Sequence, residues 1–195
     1  TIAYETVTGG TLKRYPIGDA GGGMSLRVSD DGGQTSLRVG DDGKARIAYQ
    51  GVKGIGFATL DGGHLVTSTI PGGTGGWAPV LALAPGNDAY LLWNRGLNGR
   101  GCGDGGSDPE DGTYFSTNGS GQWVTRRITT AYDGASLALD PATGELHALV
   151  GQYTLVYYHR VPGGKWQPRT LLSDGVVSPV IREDPRNGVL LVAYV

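Results

Sequence analysis

A fourteen-residue pattern occurs four times in the chain without an internal gap. Each copy has an aromatic residue at its first place, glycine at its seventh, leucine or tryptophan at its ninth, and isoleucine or leucine at its fourteenth. The middle of each copy holds turn residues, such as Asn118-Gly119, between two extended runs, which indicates a β-hairpin. A hairpin that recurs at intervals of roughly 40 to 60 residues is typical of a propeller or another array of repeated sheets. The four copies are 4–17, 57–70, 115–128 and 158–171.

A second pattern precedes the hairpin in each repeat and reads as a strand, an acidic turn with glycine, and a strand. Aspartate bonds its own backbone in such turns, and glycine takes the positive φ that they require. We name these two strands a and b and the two hairpin strands c and d, so each repeat predicts a four-stranded sheet. The pattern occurs at 36–49, 136–149 and 179–194, and more loosely at 79–93.

The order of the strands predicts how the array closes. The chain begins inside a strand c and ends inside a strand b, so its two ends complete one another as a fourth sheet. Closure of this kind leaves no exposed sheet edge. The alternative is half of a larger propeller that a second chain completes. The sequence therefore predicts an all-β, single-domain, four-bladed β-propeller over 1–195, with blades at about 36–70, 79–128, 136–171, and 176–195 plus 1–17.

One segment is left over by this assignment. Residues 25–33 nearly duplicate residues 36–44, and only one of the two copies can be strand a of the first blade. We assign the second copy to that strand, because Ile47-Ala48-Tyr49 follows it as strand b.

Composition excludes several classes of partner. The net charge is −2, and acidic and basic residues are interspersed, so the chain has neither the basic footprint of a nucleic-acid-binding protein nor a basic face for an anionic membrane. No apolar run is long enough to span a bilayer. The one cysteine, Cys102, cannot form an internal disulfide. We interpret it as an incidental thiol, with an intermolecular disulfide or a reactive thiol as the alternative.

The third hairpin resembles the Asp-box of sialidase-like, BNR-repeat extracellular β-propellers. The resemblance implies a propeller fold, an extracellular location, and a box that is a structural turn remote from the catalytic face. A sialidase of this kind would also carry an arginine cluster and a tyrosine–glutamate pair. Arg38, Arg46, Arg95 and Arg182 are available, but no spacing groups them. The box places are occupied by Ser116, Asn118, Ser120, Gln122 and Trp123.

Metal-binding chemistry has two candidates in the sequence. His64, His147 and His159 lie far apart without ligand spacing, so we interpret them as ordinary strand residues, not zinc ligands. An acidic insertion at 95–111 in the second blade could hold Ca²⁺ with the help of carbonyl oxygens, or could be a solvated loop. The candidate calcium ligands are Asp104, Asp108, Glu110 and Asp111.

The binding face is predicted from the connections. In a propeller the b–c and d–a connections lie at the same end, and the two longest irregular segments, 17–34 and 94–112, are connections of that end. Aromatic rings beside amides and carboxylates suit sugar rings. Trp77 could instead pack between blades, as we expect for Trp93 and Trp166. The predicted ligand-binding residues are Trp77, Asn94, Arg95, Tyr132, Asp133, Gln50 and Gln152.

These observations favour a secreted, non-catalytic binding module for a glycan or a protein surface. We predict no catalytic residues, no nucleic-acid binding and no membrane insertion. Ca²⁺ is the one candidate cofactor. The first alternative is a sialidase-like glycoside hydrolase or a fragment of one. It requires carboxylates and arginines that converge on the open face, with a tyrosine within reach of an acid. The second alternative is a structural or assembly domain of a larger protein.

Overall fold

The computed structural model describes residues 2–8, 11–18, 35–51, 53–61, 63–96, 108–151, 153–174, 178–184 and 186–195. These residues form strands and turns, so the predicted all-β class is confirmed. None of the described segments is a helix with the length and apolar character needed to cross a membrane. The near-duplicate segment 25–33 and Cys102 lie outside the described residues.

Three antiparallel four-stranded sheets follow one another along the chain, and in each of them the strands are paired in sequence order. Two-stranded sheets stand before and after them. The strands are β1 (Ile2–Thr8), β2 (Thr11–Gly18), β3 (Thr35–Val39), β4 (Ala45–Gly51), β5 (Gly54–Asp61), β6 (His64–Thr69), β7 (Gly76–Leu83), β8 (Ala89–Arg95), β9 (Gly112–Thr117), β10 (Val124–Thr129), β11 (Gly134–Leu139), β12 (Leu146–Gly151), β13 (Leu155–Arg160), β14 (Gln167–Leu172), β15 (Val180–Asp184) and β16 (Val189–Ala193). We call β3–β6, β7–β10 and β11–β14 the first, second and third sheets.

The first strands of the sheets lie side by side in series. β3 contacts β7, β7 contacts β11, and β11 contacts β15. Hydrogen bonds join these strands across the sheet boundaries. The amide of Leu81 donates to Ser36 Oγ at 3.0 Å, and the amide of Ile181 donates to Ser136 Oγ at 3.1 Å. Sheets arranged around a shared set of inner strands make the fold propeller-like.

Apolar side chains from neighbouring sheets pack against each other and form the core. Trp93 is fully buried between the first and second sheets. Phe57 meets Trp123 of the next sheet edge-on, with ring centroids 5.0 Å apart, and Phe115 meets Trp166 in the same way at 5.3 Å. The expectation that Trp93 and Trp166 pack between sheets is therefore confirmed.

The fourth sheet, which would close the ring, remains a prediction. β1 pairs with β2, and β15 pairs with β16, as separate two-stranded sheets. β15 contacts the third sheet, and β2 contacts β6 of the first sheet, so the two pairs flank the array at its two ends. Among the described residues no ladder joins β16 to β1. The number of blades and the closure by mixed termini therefore remain predictions.

The hairpin repeat shifts by one residue in the third sheet. Phe57 pairs with Ala48 and Phe115 pairs with Leu92, and each pair faces the following sheet. In the third sheet the pair that faces β15 is Tyr157 with Leu149, whereas the gapless alignment places Tyr158 there. The shift is already present in β12, where Leu149 pairs with Ser136 although Ala48 pairs with Ser36 in the first sheet. It arises because the β11–β12 connection, 140–145, is one residue longer than the β3–β4 connection, 40–44.

The Asn118-Gly119 dipeptide does not form the short turn that its sequence predicts. The β9–β10 ladder ends where Thr117 pairs with Val124. Asn118 Oδ1 accepts a 2.7 Å hydrogen bond from the amide of Ala89 on the neighbouring strand, which anchors the start of the loop to β8. The Asn118 side chain thus stabilises the sheet.

Candidate binding site

A cavity of about 650 Å³ opens at the end of the array where the first strands of the sheets begin. Its volume falls within the range of ~300 to 1,000 Å³ that is usual for ligand pockets. The first residues of β3, β7 and β11 line it, together with the segment 178–182 and Asn94 at the end of β8. The cavity is therefore shared by three sheets and the β15–β16 pair.

Two arginines face this cavity from different strands. Arg38 on β3 and Arg182 on β15 both line it, and each guanidinium donates a 2.8 Å hydrogen bond to the carbonyl of the residue before it. Burial, and then the charge of Arg182, lower the pKa of Arg38. No carboxylate in the described part of the chain forms a salt bridge with either arginine. The cavity thus holds two neighbouring positive charges.

Two residues that line the cavity, Asn94 and Trp77, carry buried neutral donors without partners among the described residues. Asn94 is completely buried, and its Oδ1 lies 2.8 Å from the Thr113 hydroxyl, which also lies 2.7 Å from the Ala131 carbonyl. Asn94 Nδ2 has no hydrogen-bond partner among the described residues. Trp77, which pairs with Asn94 in the β7–β8 ladder, has a buried Nε1 that finds no acceptor among the described residues. Buried donors without acceptors are costly, so the wall of the cavity carries two unfavourable polar groups.

The backbone beside the cavity is strained at two related places. Ala78 has φ 47° and Ser178 has φ 51°, in the left-handed region that residues other than glycine rarely occupy. Each precedes a proline and lines the cavity. A bulge between Trp77 and Val80 interrupts the β7–β8 ladder at the same point. Strain of this kind clusters at ligand sites.

Three of the seven predicted ligand-binding residues line the cavity, namely Trp77, Asn94 and Asp133. Arg95 lies outside it and forms a salt bridge with Glu110. Gln152 lies outside the described residues.

Tyr132 and Gln50, the remaining two predicted residues, are not among the residues that line the cavity. The Tyr132 ring packs on Gly96, where an added Cβ would come within 2.3 Å of it. Burial, followed by the charge of Asp111, raises the pKa of the Tyr132 phenol. Gln50 has a buried Oε1 without a partner among the described residues.

The described acidic side chains of the insertion form hydrogen bonds and a salt bridge within the insertion itself. Asp111 Oδ2 accepts from the amide of Asp108 at 3.1 Å, and Asp108 Oδ1 accepts from the amide of Glu110 at 2.8 Å. The Glu110 carboxylate is paired with Arg95. Asp104 lies outside the described residues, so calcium binding by this set stays a prediction.

A second cluster forms at the opposite end of the third sheet, which the sequence did not predict. His147 on β12 pairs with His159 on β13, and Glu145 joins them. Burial, followed by the charge of His159, lowers the pKa of His147. The two histidines are twelve residues apart along the chain, and only the register of the b–c hairpin brings them together.

The sequence repeat contains the information that Arg38 and Arg182 lie near one another. The a–b turns begin at Gly40 and Asp184, whose carbonyls accept from the amides of Gly43 and Gly188. Each arginine stands two residues before its turn, so both occupy the same place in the repeat. Aligning the repeats on their turns would have identified this pair.

Comparisons with known proteins give little beyond this description. No protein-family model matches the chain, and no curated protein matches it. Among solved structures, the chain is similar to a bifunctional GH43-CE protein of Bacteroides eggerthii, with a TM-score of 0.46 and 19% sequence identity. The similarity covers 84% of this chain and 26% of that chain, so this chain spans about a quarter of the other's length.

Proposed function

We propose that the chain is a secreted, non-catalytic binding module whose central cavity takes an acidic glycan. The observation that carries the proposal is that two arginines from different strands meet at one cavity, which Asn94 and Trp77 also line. Arg38 and Arg182 supply charge, and Asn94 and Trp77 supply buried donors without acceptors. Guanidinium groups match carboxylate and sulfate geometry and form strong, charge-assisted hydrogen bonds.

The remaining lining suits the sugar to which such an anion is attached. The half-buried indole of Trp77 offers a flat apolar surface for the C–H face of a ring. Asp133 offers a carboxylate that can accept from sugar hydroxyls. The acidic group and the ring of one sugar residue would then use different parts of the same cavity.

A hydrolase of sialidase-like type is the alternative. Glycoside hydrolysis ordinarily needs two carboxyl groups across the scissile bond. Within the described lining Asp133 is the one carboxylate, which favours the binding module. Turnover of fluorogenic glycosides, abolished by Asp133→Asn, would establish the hydrolase instead.

The test is calorimetric titration with matched sugars. We expect glucuronic acid or N-acetylneuraminic acid to bind, and glucose to bind at least about tenfold more weakly, because a charged hydrogen bond contributes ~1.5 to 3 kcal/mol. Arg38→Met and Arg182→Met should each lower the affinity for the acidic sugar by a similar factor. Arg126→Met, an exposed arginine on β10, is the matched control and should have no effect. Equal affinity for neutral and acidic sugars would refute the role of the arginines.

Trp77 is tested separately. Trp77→Ala should weaken binding by a stacking contribution of about 1 kcal/mol and leave the melting temperature nearly unchanged, because its ring is absent from the buried clusters between the described sheets. A large drop in melting temperature would instead make Trp77 a packing residue.

A further inference from the structure

Two histidines and a glutamate meet on the face of the third sheet that is turned toward β15. The rings of His147 and His159 are nearly parallel, with centroids 5.2 Å apart and an interplanar angle of 12°. Glu145 Oε2 lies 2.9 Å from His159 Nε2. One donor atom from each of the three residues lies within 4.8 Å of the other two. Two imidazoles and one carboxylate are a known donor set for transition metals.

A fourth residue orients the cluster. The Tyr157 hydroxyl is 2.8 Å from His147 Nδ1, which leaves Nε2 as the nitrogen available to a metal. An outer partner of this kind fixes the orientation and tautomer of a metal-binding histidine. His147 is buried, whereas about a third of each of the His159 and Glu145 side chains is exposed. The buried His147 therefore anchors the site in the sheet, and solvent reaches the site at His159 and Glu145.

We propose that Glu145, His147 and His159 bind one Zn²⁺ ion, with solvent at the fourth position. Imidazole nitrogens suit zinc, whereas Ca²⁺ and Mg²⁺ prefer sites made of oxygen atoms. An ion held here would join the residue before β12 to β12 and β13.

The zinc site is independent of the proposed glycan site. Gly134 and Leu139 are the two ends of β11; the former lines the cavity, and the latter pairs with Leu146, next to Glu145. The two sites therefore lie at opposite ends of the third sheet, and either proposal can fail without the other.

The test is titration of the metal-free protein with Zn²⁺, followed by calorimetry and by thermal unfolding. We expect one ion per chain and a higher melting temperature, because an ion that binds only the folded state stabilises it. Glu145→Gln, His147→Ala and His159→Ala should each lower the affinity at least about a hundredfold. Tyr157→Phe should lower it about tenfold and keep the stoichiometry, as loss of an outer partner does.

Controls separate this site from other ligands. His64→Ala removes an exposed histidine of the first sheet, and Cys102→Ser removes the one thiol; neither should change the affinity. Co²⁺ should give the intense visible absorption of a four-coordinate site in the wild type, and lose it in His159→Ala. Absence of binding by both ions, or unchanged binding in the Glu145→Gln/His159→Ala double variant, would overturn the proposal.

Discussion

The hydroxyl of Ser136 accepts a hydrogen bond from the backbone amide of Ile181 at 3.1 Å, across the boundary between the third sheet and β15. Ser36 makes the same bond with Leu81 across the boundary between the first and second sheets. Both serines occupy the same place in strand a. A repeated side-chain contact thus joins neighbouring inner strands at two of the sheet boundaries.

Removing the hydroxyl should therefore destabilise the array. Ser136→Ala leaves the buried Ile181 amide without an acceptor, and we expect the free energy of unfolding in urea to fall by about 1 to 3 kcal/mol. Ser36→Ala should cost less, because Ser36 is only half-buried. Ser120→Ala, in an exposed turn, is the control and should stay within about 0.5 kcal/mol of the wild type. Equal effects of all three substitutions would contradict a structural role for the inter-strand bond.

The edge-on pair of Phe57 and Trp123 should be energetically coupled. A double-mutant cycle with Phe57→Leu and Trp123→Leu should give a coupling energy of about 0.5 to 1.5 kcal/mol, as aromatic pairs of this geometry do. Phe57 with Trp166 is the control cycle, because Trp166 packs between the second and third sheets and the two effects should add. A zero coupling for the first cycle would mean that the rings contribute only through their buried area.

Sequence periodicity was sufficient to predict the sheets and insufficient to predict side-chain partners. Phe57 and Phe115 occupy the predicted place, but one extra residue in the β11–β12 connection puts Tyr157 where Tyr158 was expected. A shift of one residue reverses the face of every side chain in a strand. The meeting of His147 with His159 depends on the same register, which turn length decides and residue type does not.

Ring closure has a direct test in β16. Leu191 is 58% exposed and Val192 is 40% exposed, so side chains on both faces of this strand are open to solvent. If β1 pairs with β16 as the repeat predicts, the amides of 189–193 that point away from β15 should exchange hydrogen slowly. Deletion of residues 1–8 should then make these amides exchange rapidly. Rapid exchange in the intact chain would contradict closure. Slow exchange accompanied by a dimer in sedimentation experiments would favour a ring completed by a second chain.

The a–b turn of the first sheet carries a pair of residues that should control stability in acid. Arg46 is 8% exposed and donates to both carboxylate oxygens of Asp42, at 2.8 and 3.0 Å. These hydrogen bonds, together with one from the Lys44 amide and the nearby positive charges, lower the pKa of Asp42 from 3.8 to about 2. Because the folded-state pKa is depressed, the contribution of the carboxylate is complete above about pH 4 and is lost as the pH falls toward 2.

Asp42→Asn should therefore be less stable than the wild type at pH 7, since it weakens the pairing of a nearly buried guanidinium, and the difference should disappear between pH 4 and pH 2. Urea unfolding followed at several pH values in this range measures it. The Arg46→Met background supplies the control: without the guanidinium, Asp42→Asn should change stability little at any pH. A difference that persists undiminished at pH 2 would show that the substitution acts through the shape of the turn and not through the charge of Asp42.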